Sequence, residues 1–258
     1  MSDIVLDREQ DGRLAVVRLN RADKRNALTL AMWRDLGQTF AALEQDDRLR
    51  CVVVRGSGGH FAAGADLSEF PRLRATAEQA ETYGRQMIGA LLAVRDCRHP
   101  TIAAIEGLCV GGGLEIGLMC DLRLGAPDSR YGIPIQKVGV AMPYPELALL
   151  TQMLGRPTML VLLLEGQLHD ASWAERHGIL SRVAPDLEAE LSATIGRILT
   201  GSPVSHRHHK RFTRLAVEHG QSQSDENVTQ SFAAVEAADY REGIAAFLER
   251  RPPKFDGN

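Results

Sequence analysis

The stretch CVGGGLEIGLMCD, residues 109–121, places three consecutive glycines in front of an apolar segment with helical potential. Because Gly111, Gly112 and Gly113 have no Cβ, a ligand can approach the backbone closely there. The pattern predicts a helix N-terminus, where free N–H groups favour an oxyanion or a phosphate. Glu115 follows Gly112 by roughly one turn on the same helix face. Two interpretations are open: an anion site backed by a carboxylate, or a glycine turn before a buried helix with Glu115 in solvent.

A second bare stretch of backbone, FAAGADL at 61–67, follows the apolar run CVVVRG at 51–56, which is typical of a buried strand. Gly64 and the three alanines around it leave little side chain between the backbone and a ligand. If the two bare loops converge, their N–H groups can hold one oxygen from opposite sides, as in an oxyanion hole. The plainer interpretation is a tight strand-to-helix turn whose alanines only pack.

Four ordered motifs resemble those of the crotonase, or enoyl-CoA hydratase/isomerase, superfamily. They are LNRADKRNAL at 19–28, FAAGADL at 61–67, PTIAAIEGLCVGGGLEIGLMCDLRLGAPDSRYGIP at 100–134 and YREGIAAFLERRPPKF at 240–255. The resemblance covers nearly the whole chain, from about Ile4 to Phe255. It implies an α/β fold, a crotonase-like spiral of ββα turns with a helical C-terminal trimerisation region. It also implies an acyl-CoA thioester as substrate, with coenzyme A as part of that substrate and no bound cofactor.

Length and composition fit one ordinary globular chain. The 258 residues suffice for one sizeable core, or for a core with a helical appendage, and the net charge of −3 argues against nucleic acid as a partner. No segment is expected to reach the roughly 18 uncharged residues that a membrane span needs. The four cysteines show no CxxC spacing, and the charged N-terminal stretch is unlike a signal peptide. We therefore expect a cytoplasmic protein with reduced, buried thiols.

Hydrophobic patterning predicts strands at 14–19, 51–55, 101–105 and 121–125, with helices between them. Helical spacing groups apolar residues into two stripes: Trp33, Leu36, Phe40 and Leu43, then Met87, Leu91 and Val94. Capping boxes are predicted for Thr76 with Gln79 and for Ser172 with Glu175, and helix stops at Pro100 and Gly178. The last hundred residues are mainly helical. Together with the resemblance, this divides the chain into an acyl-CoA-binding core, 1–195, and a helical oligomerisation region, 196–258.

The resemblance assigns catalytic positions to three residues. The backbone N–H groups of Ala65 and Gly112 match the two that hold the thioester oxygen, where they would stabilise an enolate. Glu115 matches the first of two family glutamates that handle water and protons during hydration.

The second family glutamate is missing. The family pattern is an aromatic residue, Gly, any residue, Pro and then Glu, whereas YGIPI at 131–135 ends in Ile135. An isoleucine cannot move a proton, so we expect weak hydration from Glu115 alone. Glu146 and Tyr144, in the divergent segment MPYPE, are possible proton donors from another direction. A solvent-facing loop is the favoured interpretation for both.

The resemblance also predicts the residues that bind the acyl-CoA. Lys24 and Arg25 lie in a loop like the family's CoA-binding loop, and Phe247 and Arg250 match positions that reach CoA from a neighbouring subunit. The bare loops supply the remaining candidates: Ala63, Ala65, Asp66, Leu67, Ser68, Gly111 and Gly112.

Histidines and an aspartate near these motifs have plainer interpretations. His60 could touch the ligand, but a turn histidine is the default, and Asp121 is expected to be structural. The basic run 206–211 has two histidines at i, i+3 spacing without an evident acidic or thiol partner, so a solvated helix face is favoured over a metal site. A minor role of this run in attracting CoA phosphates stays open. No metal is predicted.

The favoured function is therefore hydration of a trans-2-enoyl-CoA through an oxyanion hole and Glu115. The alternatives are isomerisation of an enoyl-CoA, another reaction that needs one carboxylate (hydrolysis or decarboxylation), and acyl-CoA binding without catalysis. The expected assembly is a homotrimer or a dimer of trimers, with no nucleic acid and no membrane as partner.

Overall fold

The computed structural model describes residues 3–220 and 224–257. Its strands are Ile4–Glu9 (β1), Leu14–Leu19 (β2), Cys51–Gly56 (β3), Thr101–Ile105 (β4), Leu108–Val110 (β5), Leu122–Gly125 (β6), Arg130–Gly132 (β7), His169–Asp170 (β8) and Arg182–Val183 (β9). Its α-helices are Leu30–Glu44 (α1), Phe70–Leu73 (α2), Ala77–Asp96 (α3), Gly112–Met119 (α4), Tyr144–Leu160 (α5), Ala171–Arg176 (α6), Leu187–Leu199 (α7), Pro203–His219 (α8), Asp225–Phe232 (α9) and Ala238–Glu249 (α10).

The strands form a six-stranded sheet, ordered β1-β2-β3-β4-β6-β9, and a three-stranded sheet, ordered β5-β7-β8. In the larger sheet β1 is antiparallel to β2 and every other pair is parallel. Parallel strands covered on both faces are apolar on both. Accordingly, Val52 and Val54 of β3 join the main core, while Cys51 and Val53 join a second core with Leu187 and Leu191 of α7.

All four predicted strands are confirmed as β2, β3, β4 and β6. The stripe beginning at Trp33 is buried on α1, and the stripe beginning at Met87 is buried on α3. Thr76 caps α3 by accepting a hydrogen bond from the Gln79 N–H, and α3 ends before Pro100. The helical C-terminal third is confirmed as well, with β8 and β9 as its short strands.

The capping box predicted at Ser172 and Glu175 is wrong. The N-cap of helix α6 lies two residues earlier, at Asp170, whose carboxylate accepts a 2.7 Å hydrogen bond from the Trp173 N–H, so the helix begins at Ala171. An aspartate is as good an N-cap as a serine, and its charge also suits the helix dipole. Glu175 instead accepts a hydrogen bond from the Val183 N–H in β9. Gly178 follows the helix with φ +74°, as predicted.

One stretch departs from the expectation that no segment is long and apolar enough to span a membrane. Residues 144–165, which are α5 and the π-helical turn Val161–Glu165, pass that test by length and composition. A buried core helix can pass it too, but only 17% of this window is buried. Here Leu150, Met159 and Leu162 pack into the main core, and Gly155 (φ +74°, ψ +155°) interrupts the helix.

Candidate active site

The two bare loops predicted to converge lie against each other. The Val110 N–H donates to the Ala62 carbonyl and the Ala62 N–H to the Leu108 carbonyl, both at 2.9 Å, so the 61–67 loop runs beside β5. A Cβ on Gly64 would lie 3.2 Å from the Val110 carbonyl oxygen, and Gly64 has φ +103°. Glycine is therefore required where the backbone of one loop crosses the backbone of the other.

Each loop presents one backbone N–H group to a shared pocket. Leu28 pairs with both neighbours of Ala65: its N–H donates to the Gly64 carbonyl and its carbonyl accepts from the Asp66 N–H, each at 2.8 Å. This parallel bridge turns the Ala65 N–H away from Leu28. Gly112 is the first residue of α4, where an N–H has no partner within the helix. Both residues line the pocket.

The glycines at 112 and 113 are also needed by the core, a reason that the sequence does not reveal. A Cβ on Gly112 would lie 2.8 Å from the Trp33 ring, and one on Gly113 would lie 2.6 Å from the Ala62 carbonyl oxygen. Helix α4 is thus pressed against α1 and the 61–67 loop. This close packing fixes the position of the helix N-terminus and of the Gly112 N–H.

The pocket has a volume of about 400 Å³ and a mostly apolar wall. This size is typical of a small-molecule site. Four charged side chains reach it: Arg74, Glu115, Lys137 and Glu146. Its larger apolar lining residues are Leu67, Phe70, Met87, Leu108, Val110, Ile135, Val138, Val140, Met142 and Leu168.

Glu115 is buried, with 4% of its surface exposed, so the interpretation as a solvated helix residue is wrong. It lies in the first turn of α4, where its N–H donates to the Gly111 carbonyl at 2.9 Å. The helix N-terminus and the pocket wall keep water away from the carboxyl group. Burial, and next the negative charge of Glu146, raise the pKa of Glu115 well above its usual value.

Glu146 is also buried, with 5% exposed, which overturns the expectation of a solvent-facing loop residue. The segment MPYPE is the start of α5, with Pro143 as N-cap, and Glu146 lies in the first helical turn. The helix dipole favours a carboxylate at that position. Tyr144, two residues earlier, points to a different side of the helix and is 80% exposed, on a surface groove beside Ile88 and Leu92. Tyr144 does not reach the pocket.

The two carboxyl groups act as a pair. Burial is the main cause that raises the pKa of Glu146, and the hydrogen bond that it accepts from a protonated Glu115 opposes that rise. The same hydrogen bond raises the pKa of Glu115 further. In each residue the Oε2 atom has no hydrogen-bond partner among the described residues. Both carboxyl groups therefore take up a proton more readily than an exposed glutamate does, and the shift is larger for Glu115.

Ile135 forms part of the pocket wall. It opens the short 3-10 helix Ile135–Val138 and packs against the main core. The wall at the site of the missing family glutamate is therefore apolar, as the sequence predicts. The second carboxyl group enters from α5 instead.

The predicted CoA-binding residues near the loops fall into three groups. Lys24 and Arg25 are exposed. Ala63, Leu67 and Gly111 line the pocket with Ala65 and Gly112, while Ser68 is exposed beside it. Asp66 does not line the pocket and is bound to other residues of the chain.

Asp66 accepts hydrogen bonds from the Ser68 hydroxyl and backbone N–H and forms a 2.7 Å ion pair with Arg21. Hydrogen bonding from Ser68, and next from Arg21, lowers the pKa of the Asp66 carboxyl. Arg21 also donates to the Ala27 carbonyl. Asp66 therefore fixes the loop that presents the Ala65 N–H.

Phe247 and Arg250, the residues predicted to serve a neighbouring subunit, are both exposed. Phe247 lies on α10 with 82% of its surface exposed, and Arg250 ends that helix. Neither residue lines the pocket of its own chain.

Asn26 is a positioning residue that was not predicted from the sequence. Its buried side chain accepts from the Arg21 N–H and donates to the carbonyls of Ser57 and His60 at 2.9 and 2.7 Å. It thereby ties the 19–28 loop to the start of the 61–67 loop. The sequence offered one signal for this role, because asparagine is one of the few residues besides glycine that tolerate a positive φ. Asn26 has a φ of +57°.

His60 and Asp121 have structural contacts, as their default interpretations predict. The His60 Nδ1 accepts a hydrogen bond from the Leu108 N–H at 3.1 Å. Asp121 accepts from the Thr101 N–H and forms a 2.7 Å ion pair with Lys210, a member of the basic run 206–211. Within residues 3–220 and 224–257, no group of three His, Cys, Asp or Glu side chains is arranged to hold a metal ion.

Comparison with known proteins agrees with this architecture. Residues 9–258 match the enoyl-CoA hydratase/isomerase family. The chain is 35% identical over 256 residues to the Mycobacterium tuberculosis protein named "Probable enoyl-CoA hydratase echA8", with 96% of each chain covered. A crystal structure of an enoyl-CoA hydratase/carnithine racemase from Magnetospirillum magneticum superposes with a TM-score of 0.96 at 42% identity, covering 100% of this chain and 97% of that one.

A crystal structure of an enoyl-CoA hydratase from Mycobacterium smegmatis superposes with a TM-score of 0.91 at 28% identity, covering 99% of each chain. Fold and sequence therefore define a crotonase-type α/β enzyme. The chain belongs to the enoyl-CoA hydratase/isomerase family.

Proposed function

We propose that the protein hydrates trans-2-enoyl-CoA thioesters with two carboxyl groups, Glu115 and Glu146, beside an oxyanion hole formed by Ala65 and Gly112. The observation that carries this proposal is the pair of buried carboxyl groups in the pocket that the two N–H groups line. Hydration requires one group that takes a proton from water and one that gives a proton to carbon. A carboxylate and a carboxylic acid in contact have those two properties.

The oxyanion hole acts first. The Ala65 and Gly112 N–H groups would hold the thioester carbonyl oxygen, so that negative charge can move onto that oxygen as water adds to the β-carbon. Fixed backbone donors in a site with little water stabilise this enolate strongly, because they need no reorganisation. The mutual packing of the two loops supplies the rigidity.

Two proton transfers then follow, one to Glu146 and one from Glu115. The ionised Glu146 takes a proton from the attacking water, whose oxygen bonds to the β-carbon while the C=C π bond opens toward the thioester. The protonated Glu115 delivers its proton to the α-carbon and becomes ionised. Proton transfer from Glu146 back to Glu115 restores the starting state. The product is the 3-hydroxyacyl-CoA.

This scheme replaces the expectation of a single active carboxylate. The first-turn position of Glu146 in α5 compensates for Ile135, so hydration need not be weak. A carboxyl pair that shares a proton in a buried pocket also supports catalysis over an acyl-CoA-binding function, since an unreactive binding site gains nothing from two buried acids.

Isomerisation of a 3-enoyl-CoA to a 2-enoyl-CoA is the second candidate. It uses the same oxyanion hole and moves a proton from the α-carbon to the γ-carbon without water. The apolar wall at Ile135 and Met142 favours it, because that wall does not help to orient a water molecule. Hydrolysis and decarboxylation stay alternatives that need one carboxylate.

We further propose a homotrimer or a dimer of trimers in which Phe247 and Arg250 reach the CoA bound by a neighbour. The exposed apolar side chains of the last helix support it, since a monomer rarely exposes so many together. They are Tyr240, Ile244, Phe247 and Leu248. Lys24, Arg25 and Ser68, all exposed, are proposed contacts for the nucleotide arm of CoA. A cytoplasmic location stays a prediction.

The experiment that tests the reaction uses trans-2-enoyl-CoAs of several chain lengths in ¹⁸O-labelled water. Hydration predicts loss of the conjugated thioester absorbance and one ¹⁸O atom in the product. An isomerase would instead create that absorbance from a 3-enoyl-CoA with no label incorporated. Absence of both reactions, with acyl-CoA still bound, would support the binding-protein alternative.

A further inference from the structure

Arg74 reaches the pocket from the segment after α2, and no sequence motif marks it. Its backbone is fixed by a 2.8 Å hydrogen bond from its N–H to the Phe70 carbonyl. Its guanidinium carbon lies 4.5 Å from the centre of the Phe70 ring and 5.3 Å from the centre of the Tyr83 ring, both within cation–π range. These contacts hold the charge of Arg74 at one place on the pocket wall.

Among the described residues, the contacts of the guanidinium are with these two rings, and it has no hydrogen bond and no ion pair. It nevertheless carries five N–H donors in a planar fork. Arg74 is partly buried, so its charge has lost part of its hydration without gaining an acceptor from the protein, and this loss is costly. The two rings offset this cost in part, but ring faces do not satisfy the in-plane N–H groups.

The other charged groups in the pocket do not supply that acceptor. The positive charge of Arg74 lowers the pKa of both Glu115 and Glu146, so it acts on them through space. Arg74 affects each carboxylate through its charge alone, without a hydrogen bond to either. Lys137, the second cation of the wall, is exposed and can remain hydrated. Arg74 therefore lines a cavity of about 400 Å³ whose other charged residues are the carboxyl pair and the exposed Lys137.

We propose that Arg74 binds a carboxylate carried by the acyl chain, so that the preferred substrates are thioesters of unsaturated dicarboxylic acids. A guanidinium fork matches a carboxylate with two parallel N–H···O hydrogen bonds. This assignment of substrate class rests on the proposed hydration. It adds a specificity-determining residue that lies outside the oxyanion hole and the carboxyl pair.

A different role for Arg74 predicts different data. If Arg74 serves only to tune the charge of the Glu115–Glu146 pair, its loss changes the rate and the pH profile equally for every acyl chain. If it binds a substrate carboxylate, its loss acts on one class of acyl chain through KM. The ratio of kcat/KM between two substrates of equal chain length separates these roles.

The experiment compares trans-2-enoyl-CoAs that end in a carboxylate with methyl-ended ones of equal chain length, from five to eight carbons. We expect the wild-type enzyme to favour a carboxylate-ended substrate. Arg74→Met should reduce the carboxylate-over-methyl ratio of kcat/KM by about 100-fold, mainly through KM, which is the usual scale for losing one partner of a buried charge pair. Arg74→Lys should restore part of it.

Arg72→Met is the matched control, because Arg72 lies two residues before Arg74 on α2, is exposed and does not line the pocket. It should leave the ratio unchanged. A wild-type preference for methyl-ended chains, or a ratio that Arg74→Met does not alter, would overturn the proposal.

A binding measurement keeps this test separate from the proposed reaction. Calorimetry with the saturated, unreactive thioesters adipoyl-CoA and hexanoyl-CoA compares the two chain ends without turnover. Tighter binding of adipoyl-CoA that is lost in Arg74→Met would support Arg74 as a carboxylate site even if hydration were absent. Equal affinities in the wild-type protein would contradict the site even if hydration were observed.

Discussion

Glu115 in the first turn of α4 and Glu146 in the first turn of α5 lie together in one pocket, where burial raises the pKa of both carboxyl groups. Two helix N-termini therefore converge on one pair of acids. The first carboxyl group comes from the position that the family motif gives it, and the second comes from a helix that the motif does not mark. The same pocket wall carries Arg74, whose charge partly compensates the pair.

The buried acid pair should reduce the stability of the folded protein. The pKa of Glu115 is raised in the folded state, so the folded chain binds more protons than the unfolded chain does. The free energy of unfolding therefore falls as the pH rises above the usual glutamate range. Glu115→Gln removes this loss. We expect it to stabilise the protein by about 1 kcal/mol at neutral pH, while hydration falls roughly 10²–10⁴-fold. Thermal melts from pH 5 to pH 8 measure the gain in stability. A Glu115→Gln variant that melts at a lower temperature than wild type at every pH would contradict this prediction.

A third acid in the pocket should be harmful. Ile135→Glu would place a carboxylate near the existing pair on an apolar wall, at a desolvation cost of about 1–3 kcal/mol. We expect lower hydration and a lower melting temperature. Ile135→Leu, which nearly conserves volume, is the control and should cost less than about 1.5 kcal/mol. An increase in hydration with Ile135→Glu would mean that Glu146 does not act as the second acid.

His99 should make the protein sensitive to acid. Its side chain is 1% exposed with no partner for Nε2 among the described residues, and burial, followed by the charge of Arg98, lowers its pKa from the usual 6.5 to about 4. The unfolded chain therefore binds a proton between those values and the folded chain does not. Stability is present above pH 6.5 and falls by at most about 3 kcal/mol toward pH 4. His99→Leu should flatten this dependence, whereas the exposed control His219→Gln should not.

Assembly should be required for full activity. Phe247→Asp places a charge on the exposed apolar face of α10, and we expect it to weaken association of the chains and to raise KM for acyl-CoA. Sedimentation velocity and steady-state kinetics on the same samples measure both effects. A wild-type monomer with full activity would contradict the trimer and would remove Phe247 and Arg250 from the CoA site.

Much of the fold was predictable because it depends on local pattern. The sequence of strand β3 is an apolar run because both of its faces are covered. Helix α4 begins at the glycines that predict its N-terminus. The position of Glu146 was not predictable from the loop composition. Its burial depends on how α5 packs against α4, and a Pro-Tyr-Pro-Glu segment is equally compatible with an exposed turn.

The role of two other residues depends in the same way on contacts between separate elements of the fold. Asn26 acts through carbonyls more than thirty positions along the chain. Arg74 acquires its position from the Phe70 and Tyr83 rings, which belong to two different helices. Neither relationship leaves a periodic signal in the sequence.

The central claim is that Glu146 is the second catalytic carboxyl group and acts as the base, and the hydration kinetics of Glu146→Gln test it most directly. The account predicts that kcat falls by roughly 10²–10⁴ with KM nearly unchanged, and that the acidic limb of the pH–rate profile, which reports ionisation of Glu146, is lost. Tyr144→Phe, an exposed neighbour in the same helical turn, is the control and should keep the wild-type rate. A folded Glu146→Gln enzyme that hydrates at the wild-type rate with both limbs intact would contradict the claim.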